Sequence, residues 1–251
     1  MNFSSELDKF KAKGSDSKII QYFMNMDIKS PAILKGYKDQ IVISKSNDKL
    51  GNGPSIVQYD NKTIYVGELT DGKRNGKGVR TYVGNGLAYV GEYRNDLKAG
   101  KGKLFDFKIN KFVFDGQWSQ DKRNGYGELI KETVSYKGNY VNDKMEGKGT
   151  QVWANGDVYD GEFKDDVRNG RGKMVFANGD SYEGNFLSGK MHGRGVYTLK
   201  NGEKYIGEFK NGVMEGEGKV DYGMNVIAQG NFEPQSTRFV NFGLTGEFGK
   251  Y

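Results

Sequence analysis

Residues 159–181 read YDGEFKDDVRNGRGKMVFANGDS, and the fold of the chain can be worked out from them. Tyr159, Gly161 and Phe163 alternate with acidic residues, which is the two-residue period of a β-strand. A second strand is predicted at KMVF, residues 173–176. An Asp-Asp pair between the two strands tolerates the positive φ angles of a two-residue turn. The pattern therefore predicts a β-hairpin.

The same pattern recurs seven times, each time led by an aromatic residue. The leading residues are Tyr65, Tyr89, Phe114, Tyr136, Tyr159, Tyr182 and Tyr205. A glycine pair opens 11 residues after each of them: Gly76/Gly78, Gly100/Gly102, Gly125/Gly127, Gly147/Gly149, Gly170/Gly172, Gly193/Gly195 and Gly216/Gly218. The spacing between repeats varies from 22 to 25 residues, whereas the offset of 11 is constant. One small folded unit is therefore used seven times, joined by loops of variable length.

Pairs of residues that accept positive φ mark the predicted turns. Within a repeat, such pairs stand at Asp71-Gly72, Asn95-Asp96, Asn142-Asp143, Asp165-Asp166, Ser188-Gly189 and Asn211-Gly212. Asn178-Gly179 marks a turn between repeats. Glycines are expected where a ring crosses the backbone, because a Cβ would collide with it. Gly161 and Gly170, on facing strands, are predicted to form a floor of this kind, a flat stretch of backbone beneath stacked rings. A single hairpin is marginal in water, so the repeats are expected to stack in a row.

Composition limits the remaining possibilities. The 251 residues include 38 Gly but only three Pro, and 13% are aromatic, which favours a β-rich repeat over disorder. The absence of Cys and the single His exclude cysteine or multi-histidine metal sites, and no cofactor is predicted. No run of 18 apolar residues is present. Acidic residues near the N-terminus and the lack of Arg before Arg74 argue against a secretory or mitochondrial leader, so the cytoplasm is expected.

The pattern resembles the MORN (membrane occupation and recognition nexus) repeat over about residues 65–232. The matching segments are Tyr65-Val66-Gly67-Glu68, Tyr159-Asp160-Gly161-Glu162-Phe163 and Tyr205-Ile206-Gly207-Glu208-Phe209. The resemblance implies an all-β fold, an elongated, twisted single-layer antiparallel β-solenoid of stacked hairpins. Phe114 departs from it in place of the leading Tyr, and Gln117, Asn139 and Asn185 replace the Glu.

Four segments are expected along the chain. Residues 1–50 form an N-terminal cap or partner-binding arm, with a short helix around residues 19–26 and a strand at 41–43. Residues 51–64 are a degraded half repeat, and residues 65–227 hold the seven repeats. Residues 228–251 are a degraded C-terminal repeat and cap, with a last strand at LTGEF, 244–248.

No reactive centre is predicted. The carboxylates Glu68, Glu92, Glu162 and Glu208 recur with the repeat, so a structural role is expected, accepting hydrogen bonds from backbone N–H groups. Residues 72–78 resemble a phosphate loop but lack its Lys-Ser/Thr ending. We therefore expect no enzyme activity.

Two sets of residues are candidates for binding. The residues between the paired glycines include five cations, which stacking would align into a basic ladder: Lys77, Lys101, Lys148, Arg171 and Arg194. This ladder is either a solvated face that discourages aggregation or a contact for anionic phospholipid or acidic protein. The aromatic series is expected to pack in part and, in part, to line an open groove for partner proteins. The groove candidates are Tyr89, Tyr93, Trp118, Tyr136, Tyr140, Trp153, Tyr159, Phe163, Tyr182, Phe186, Tyr205 and Phe209.

The favoured function is a structural scaffold in a multi-subunit assembly. The resemblance points to cytoskeletal assemblies, among them the cilium axoneme and its radial spoke heads. The alternative is a peripheral membrane adaptor that uses the basic ladder. Nucleic acid is not expected as a partner, because the aromatics recur at core positions. Pairing of two copies through end strands to form a homodimer stays open.

Overall fold

A computed structural model shows an all-β protein and describes residues 42–45, 50–60, 63–82, 86–223 and 227–232. No helix occurs among these residues. The strands are β1 (Val42–Lys45), β2 (Gly53–Asp60), β3 (Thr63–Thr70), β4 (Lys73–Tyr82), β5 (Leu87–Arg94), β6 (Leu97–Asp106), β7 (Lys111–Ser119), β8 (Lys122–Ile130), β9 (Val134–Val141), β10 (Lys144–Trp153), β11 (Val158–Lys164), β12 (Val167–Val175), β13 (Ser181–Leu187), β14 (Lys190–Thr198), β15 (Lys204–Lys210), β16 (Val213–Asp221) and β17 (Ile227–Phe232).

The chain divides into an N-terminal unit, residues 1–123, and a C-terminal unit, residues 124–251. In the N-terminal unit, β1 lies parallel to β2, and β2 to β7 pair antiparallel in chain order. In the C-terminal unit, β8 to β17 pair antiparallel in chain order. Hairpins stacked in sequence order confirm the predicted fold class. Of the predicted ends, the strand at 41–43 is observed from Val42 onward, while the helix around 19–26 and the LTGEF strand lie outside the described residues.

The turns within repeats follow the prediction. Asp165 and Asp166 have φ angles of 49° and 69°, as a two-residue hairpin turn requires. Gln120 and Asp121 form an additional turn of this kind, with φ angles of 50° and 66°. The pattern missed it because glutamine seldom adopts positive φ. The second turn residue also binds the preceding repeat: the Asp166 backbone N–H donates to the Met145 carbonyl at 3.1 Å.

The two glycines of a pair serve different purposes, which corrects the predicted floor. Gly161 faces Gly172, not Gly170, across the hairpin. A Cβ on Gly172 would lie 2.5 Å from Cε2 and 2.6 Å from Cζ of Tyr159, whose ring rests on these two glycines. Gly170 lies in a bulge with a φ of 99°, and the Glu162 carboxylate occupies the space a Cβ would need. The bulge adds residues to one strand only, so counting along the chain assigned the wrong partner.

Buried aspartates connect the turns between successive repeats. Asp157 Oδ1 accepts a hydrogen bond from the Ala177 backbone N–H at 2.8 Å. One repeat later, Asp180 Oδ1 accepts from the Lys200 N–H at 2.9 Å, and the Tyr197 hydroxyl donates to Asp180 Oδ2 at 3.0 Å. Both aspartates are buried, so these bonds are shielded from water. They fix each turn to the next one along the chain.

Candidate partner-binding surface

The predicted groove residues form the core of the sheet. Eleven of the twelve rings are buried, and only Trp153 is half-buried. They lie on one side of the strands, which we call the aromatic face, and meet edge to face. In the C-terminal unit, the Tyr159 ring lies 5.1 Å from Phe163 of its own repeat and 4.9 Å from Phe186 of the next. In the N-terminal unit, Tyr89 lies between Tyr93 and Trp118 in the same way.

Each leading tyrosine is also tied to the backbone. The Tyr159 hydroxyl donates to the Glu162 carbonyl at 2.9 Å, and the other leading tyrosines make the same bond three residues on. Burial raises the pKa of Tyr159 and of Tyr205 to about 12, because the phenolate would lose its water shell. These rings are therefore neutral, fixed and closely packed.

A row of long side chains covers the rings, and the sequence pattern did not identify it. Its members stand nine residues after each leading aromatic: Arg74, Lys98, Arg123, Met145, Arg168, Met191 and Met214. The Arg168 guanidinium carbon lies 5.5 Å from the Trp153 and Phe186 ring centres and 5.7 Å from that of Tyr159. The constant offset of nine residues was the available signal in the sequence. It was hidden because the position holds Arg, Lys or Met, and a flexible cation and a thioether can cover the same ring.

Burial makes the rings of the aromatic face inaccessible to a partner. Rings that pack on one another and lie beneath Arg168 and its equivalents do not line an open groove. Partner binding through the twelve candidates stays a prediction, and it requires that the covering side chains first move away. In each unit, no such row of described residues covers the other face of the strands.

In each unit the residues of the basic ladder lie on that other face of the strands, which we call the exposed face. All five of its side chains are exposed. The strand register places Lys77, Lys148 and Arg194 directly opposite Glu92, Glu162 and Glu208. In one of these pairs, Arg194 Nε lies 3.9 Å from Glu208 Oε1. Lys101 and Arg171 face Gln117 and Asn185 instead. The recurring glutamates thus offset much of the ladder's charge.

One glutamate also makes the backbone contact predicted from the sequence. The Lys101 backbone N–H donates to Glu92 Oε1 at 3.3 Å. The carboxylates of Glu68, Glu162 and Glu208 lie beside the first glycine of their pair, against the position that a Cβ would take. These carboxylates therefore line the bulges of the hairpins.

Exposed apolar residues concentrate on the exposed face of the C-terminal unit. The large apolar side chains with high exposure in this unit are Tyr126, Ile130, Val141, Val152, Val167, Val175, Leu187 and Ile227. Tyr126 faces Asn139 across the sheet, and Ile130 faces Ser135. The other six each follow or precede a residue of the aromatic face along a strand, so their side chains point the opposite way. These neighbours are Tyr140, Trp153, Arg168, Met174, Phe186 and Ala228. One sheet face thus carries all eight.

A charged row runs between these apolar positions. Opposed residues on consecutive strands are Glu128, Lys137, Thr150, Asp160, Lys173 and Glu183. Lys137 Nζ lies 3.8 Å from Glu128 Oε2, and Lys173 Nζ lies 4.0 Å from Glu183 Oε2. At these distances and with this exposure the pairs contribute little to stability, so their charges are available to a partner.

Other kinds of site have less support in the part of the chain that the structure describes. No three His, Asp or Glu side chains there are arranged to hold a metal ion. Likewise, none of the described segments forms a helix with the length and apolar character needed to cross a membrane.

Comparison with known proteins identifies the repeat. A MORN repeat model matches residues 65–86, 89–105, 114–132, 136–158, 159–181, 182–204 and 205–225, more than half of the chain. Alsin of Rattus norvegicus is 32% identical over 138 residues, which is 51% of this chain and 8% of alsin. MORN repeat-containing protein 3 of Xenopus laevis is 38% identical over 108 residues, 39% of this chain and 45% of that protein. The chain thus spans less than half of either relative.

Proposed function

The chain belongs to the MORN repeat family, and we propose that it is a non-catalytic scaffold that binds partner proteins through the exposed face of its C-terminal unit. The observation that supports this surface is the placement of eight exposed apolar side chains on one sheet face. Isolated surface apolar residues are ordinary, but a set that shares one face between charged positions is typical of an interface.

The proposal can be tested with two matched isoleucines. Ile130 and Ile109 are both 47% exposed, but Ile109 lies in a turn of the N-terminal unit and not on the proposed surface. Tagged wild-type chain, Ile130→Glu and Ile109→Glu are used to capture proteins from native extract, and the captured proteins are quantified by mass spectrometry. We expect at least a tenfold loss for Ile130→Glu alone. Equal capture by all three would reject this surface.

We further propose a cytoskeletal assembly as the site of action, with the cilium axoneme and its radial spoke heads as the first place to look. The support is the resemblance of the uninterrupted repeat array to scaffold components of that kind. Detergent extraction of cells that express the tagged chain is the direct experiment. The chain should stay with the insoluble cytoskeleton, and complete release into the soluble fraction would contradict the assignment.

The alternative, a peripheral membrane adaptor, is favoured by the exposure of all five side chains of the basic ladder. Flotation with liposomes that contain anionic phospholipid should then show binding that falls with salt. Charge reversal at Lys77, Lys148, Arg171 and Arg194 should abolish that binding. The glutamates opposite three of the ladder residues weaken this candidate, because they reduce the local positive potential.

A further inference from the structure

Five neighbouring strands, β8 to β12, carry a surface whose residues are complementary to the same residues taken in the reverse order of strands. Two rows of residues cross these strands on the exposed face. On these five strands the charged row reads Glu128, Lys137, Thr150, Asp160 and Lys173, and its sixth member, Glu183, lies on the next strand, β13. The apolar row reads Ile130, Ser135, Val152, Val158 and Val175. The strand β10 lies at the centre of both rows.

We propose that a second copy of this chain docks on this surface, face to face, about a two-fold axis that runs parallel to β10. The inference rests on the proposed function, because it names the partner of the same exposed face. A rotation about this axis places β8 of one copy over β12 of the other, and β9 over β11. Each residue then meets the residue an equal number of strands beyond β10, and the strands of the two sheets run nearly parallel, as in aligned sheet packing.

The charged row is complementary under this operation. Glu128 of one copy meets Lys173 of the other, Lys137 meets Asp160, and Thr150 meets itself. Each charged pair occurs twice, so four contacts join opposite charges. An axis over β11 would set Asp160 against its own copy, and an axis over β9 would do the same with Lys137. The sign pattern therefore selects β10 over both neighbouring strands.

The apolar row supplies the buried contact. The rotation sets Val152 against its own copy, and Ile130 against Val175, all three of which are exposed in the single chain. Beyond the charged row, it also sets Tyr126, which is 51% exposed, against Arg171, a pair suited to cation–π stacking. Lys148 would meet its own copy near the axis, but Glu162 lies opposite Lys148 in each sheet and shares that charge.

The surface is large enough for a stable pair. Five strands at about 4.8 Å spacing give a width of about 24 Å, and nine residues at about 3.3 Å give a length of about 30 Å. Face-to-face contact over this patch would cover on the order of 700 Å² per copy, or about 1,400 Å² in total. That total falls within the range of specific protein–protein interfaces.

Two single charge reversals and their mixture test the arrangement in the full chain. In Lys137→Glu alone, two acidic residues oppose each other at both symmetric contacts; in Asp160→Lys alone, two basic residues do. When the two variants are mixed, one heterodimer restores an opposite-charge pair at both contacts. Sedimentation velocity should show a wild-type dimer, dissociation constants at least tenfold higher for each variant alone, and recovery to near the wild-type value for the equimolar mixture.

A misfolded variant cannot produce recovery on mixing, so the mixture separates an interface effect from a folding defect. Glu128→Lys and Lys173→Glu provide a second complementary pair with the same expected result, and Lys111→Glu, in the N-terminal unit, is the charge-matched control. A monomeric wild type, single variants that dimerise like wild type, or mixtures that stay monomeric would each overturn the inference. If the chain is monomeric while Ile130→Glu still loses captured proteins, this inference fails and the proposed function stands.

Discussion

Replacing Gly172 by alanine tests the packing that holds every repeat together. The added Cβ would lie 2.5–2.6 Å from ring carbons of Tyr159, and that ring cannot rise freely. Its hydroxyl is bonded to the Glu162 carbonyl, and its edges contact Phe163 and Phe186. Losing one hydrogen bond costs about 1 kcal/mol, and disturbing each edge contact costs about 0.5–1.5 kcal/mol. We therefore expect Gly172→Ala to lower the free energy of unfolding by about 2–4 kcal/mol.

Gly230 is the matched control. It occupies the place in the last described strand that Gly161 occupies in its repeat, but no atom of a described residue lies within 4 Å of the Cβ position. Gly230→Ala should be neutral or slightly stabilising, because alanine has less backbone entropy to lose. Urea unfolding followed by tryptophan fluorescence, from Trp118 and Trp153, and by circular dichroism gives both values.

A double-mutant cycle then identifies the cause. In a Tyr159→Leu background no ring lies over the floor, so Gly172→Ala should cost less than about 1 kcal/mol. The reasoning is refuted if the cost is unchanged in that background, or if Gly230→Ala is as damaging as Gly172→Ala.

Three further predictions concern other contacts. Asp180→Ala should lower the free energy of unfolding by about 1–3 kcal/mol, since it leaves buried donors unpaired. Glu203→Ala, at the equivalent but half-buried position one repeat later, should lower it by less than about 0.5 kcal/mol. Urea unfolding midpoints measure both effects. Arg168→Met should be within about 1 kcal/mol of wild type, because methionine fills this place in other repeats, while Arg168→Ala should cost about 1–3 kcal/mol by urea titration. Burial raises the pKa of Tyr159 and Tyr205 to about 12, while a tyrosine in the unfolded chain ionises near pH 10, so stability should be full below about pH 10 and fall as pH rises toward 12. Tyr159→Phe should flatten that fall in unfolding midpoints measured across the same range.

Local backbone requirements were visible in the sequence. Asp165-Asp166 predicts a hairpin turn because few residues accept positive φ. The alternation from Tyr159 to Phe163 predicts a strand because side-chain direction in a strand has a period of two. Both signals depend only on neighbouring residues. For the same reason the family and its fold could be predicted from the repeats.

Features that depend on contacts across strands were less accessible. Alternation assigns residues to two faces but does not say which face is covered, so the rings were taken for a partly open groove. The row that contains Arg168 covers them through side chains that share length rather than chemistry. The bulge at Gly170 shifts the pairing by two residues, and the buried role of Asp180 becomes apparent only once the next turn is placed beside it.

The pairing of strands in chain order has a consequence for how the molecule is made. The connection between Asp180 and the Lys200 backbone spans 20 residues, and the facing strands of a hairpin are closer still along the chain. A β-sheet protein usually folds slowly because distant segments must find one another. Here each hairpin needs only its predecessor, so a nascent chain can add one repeat at a time to the part already folded as it leaves the ribosome.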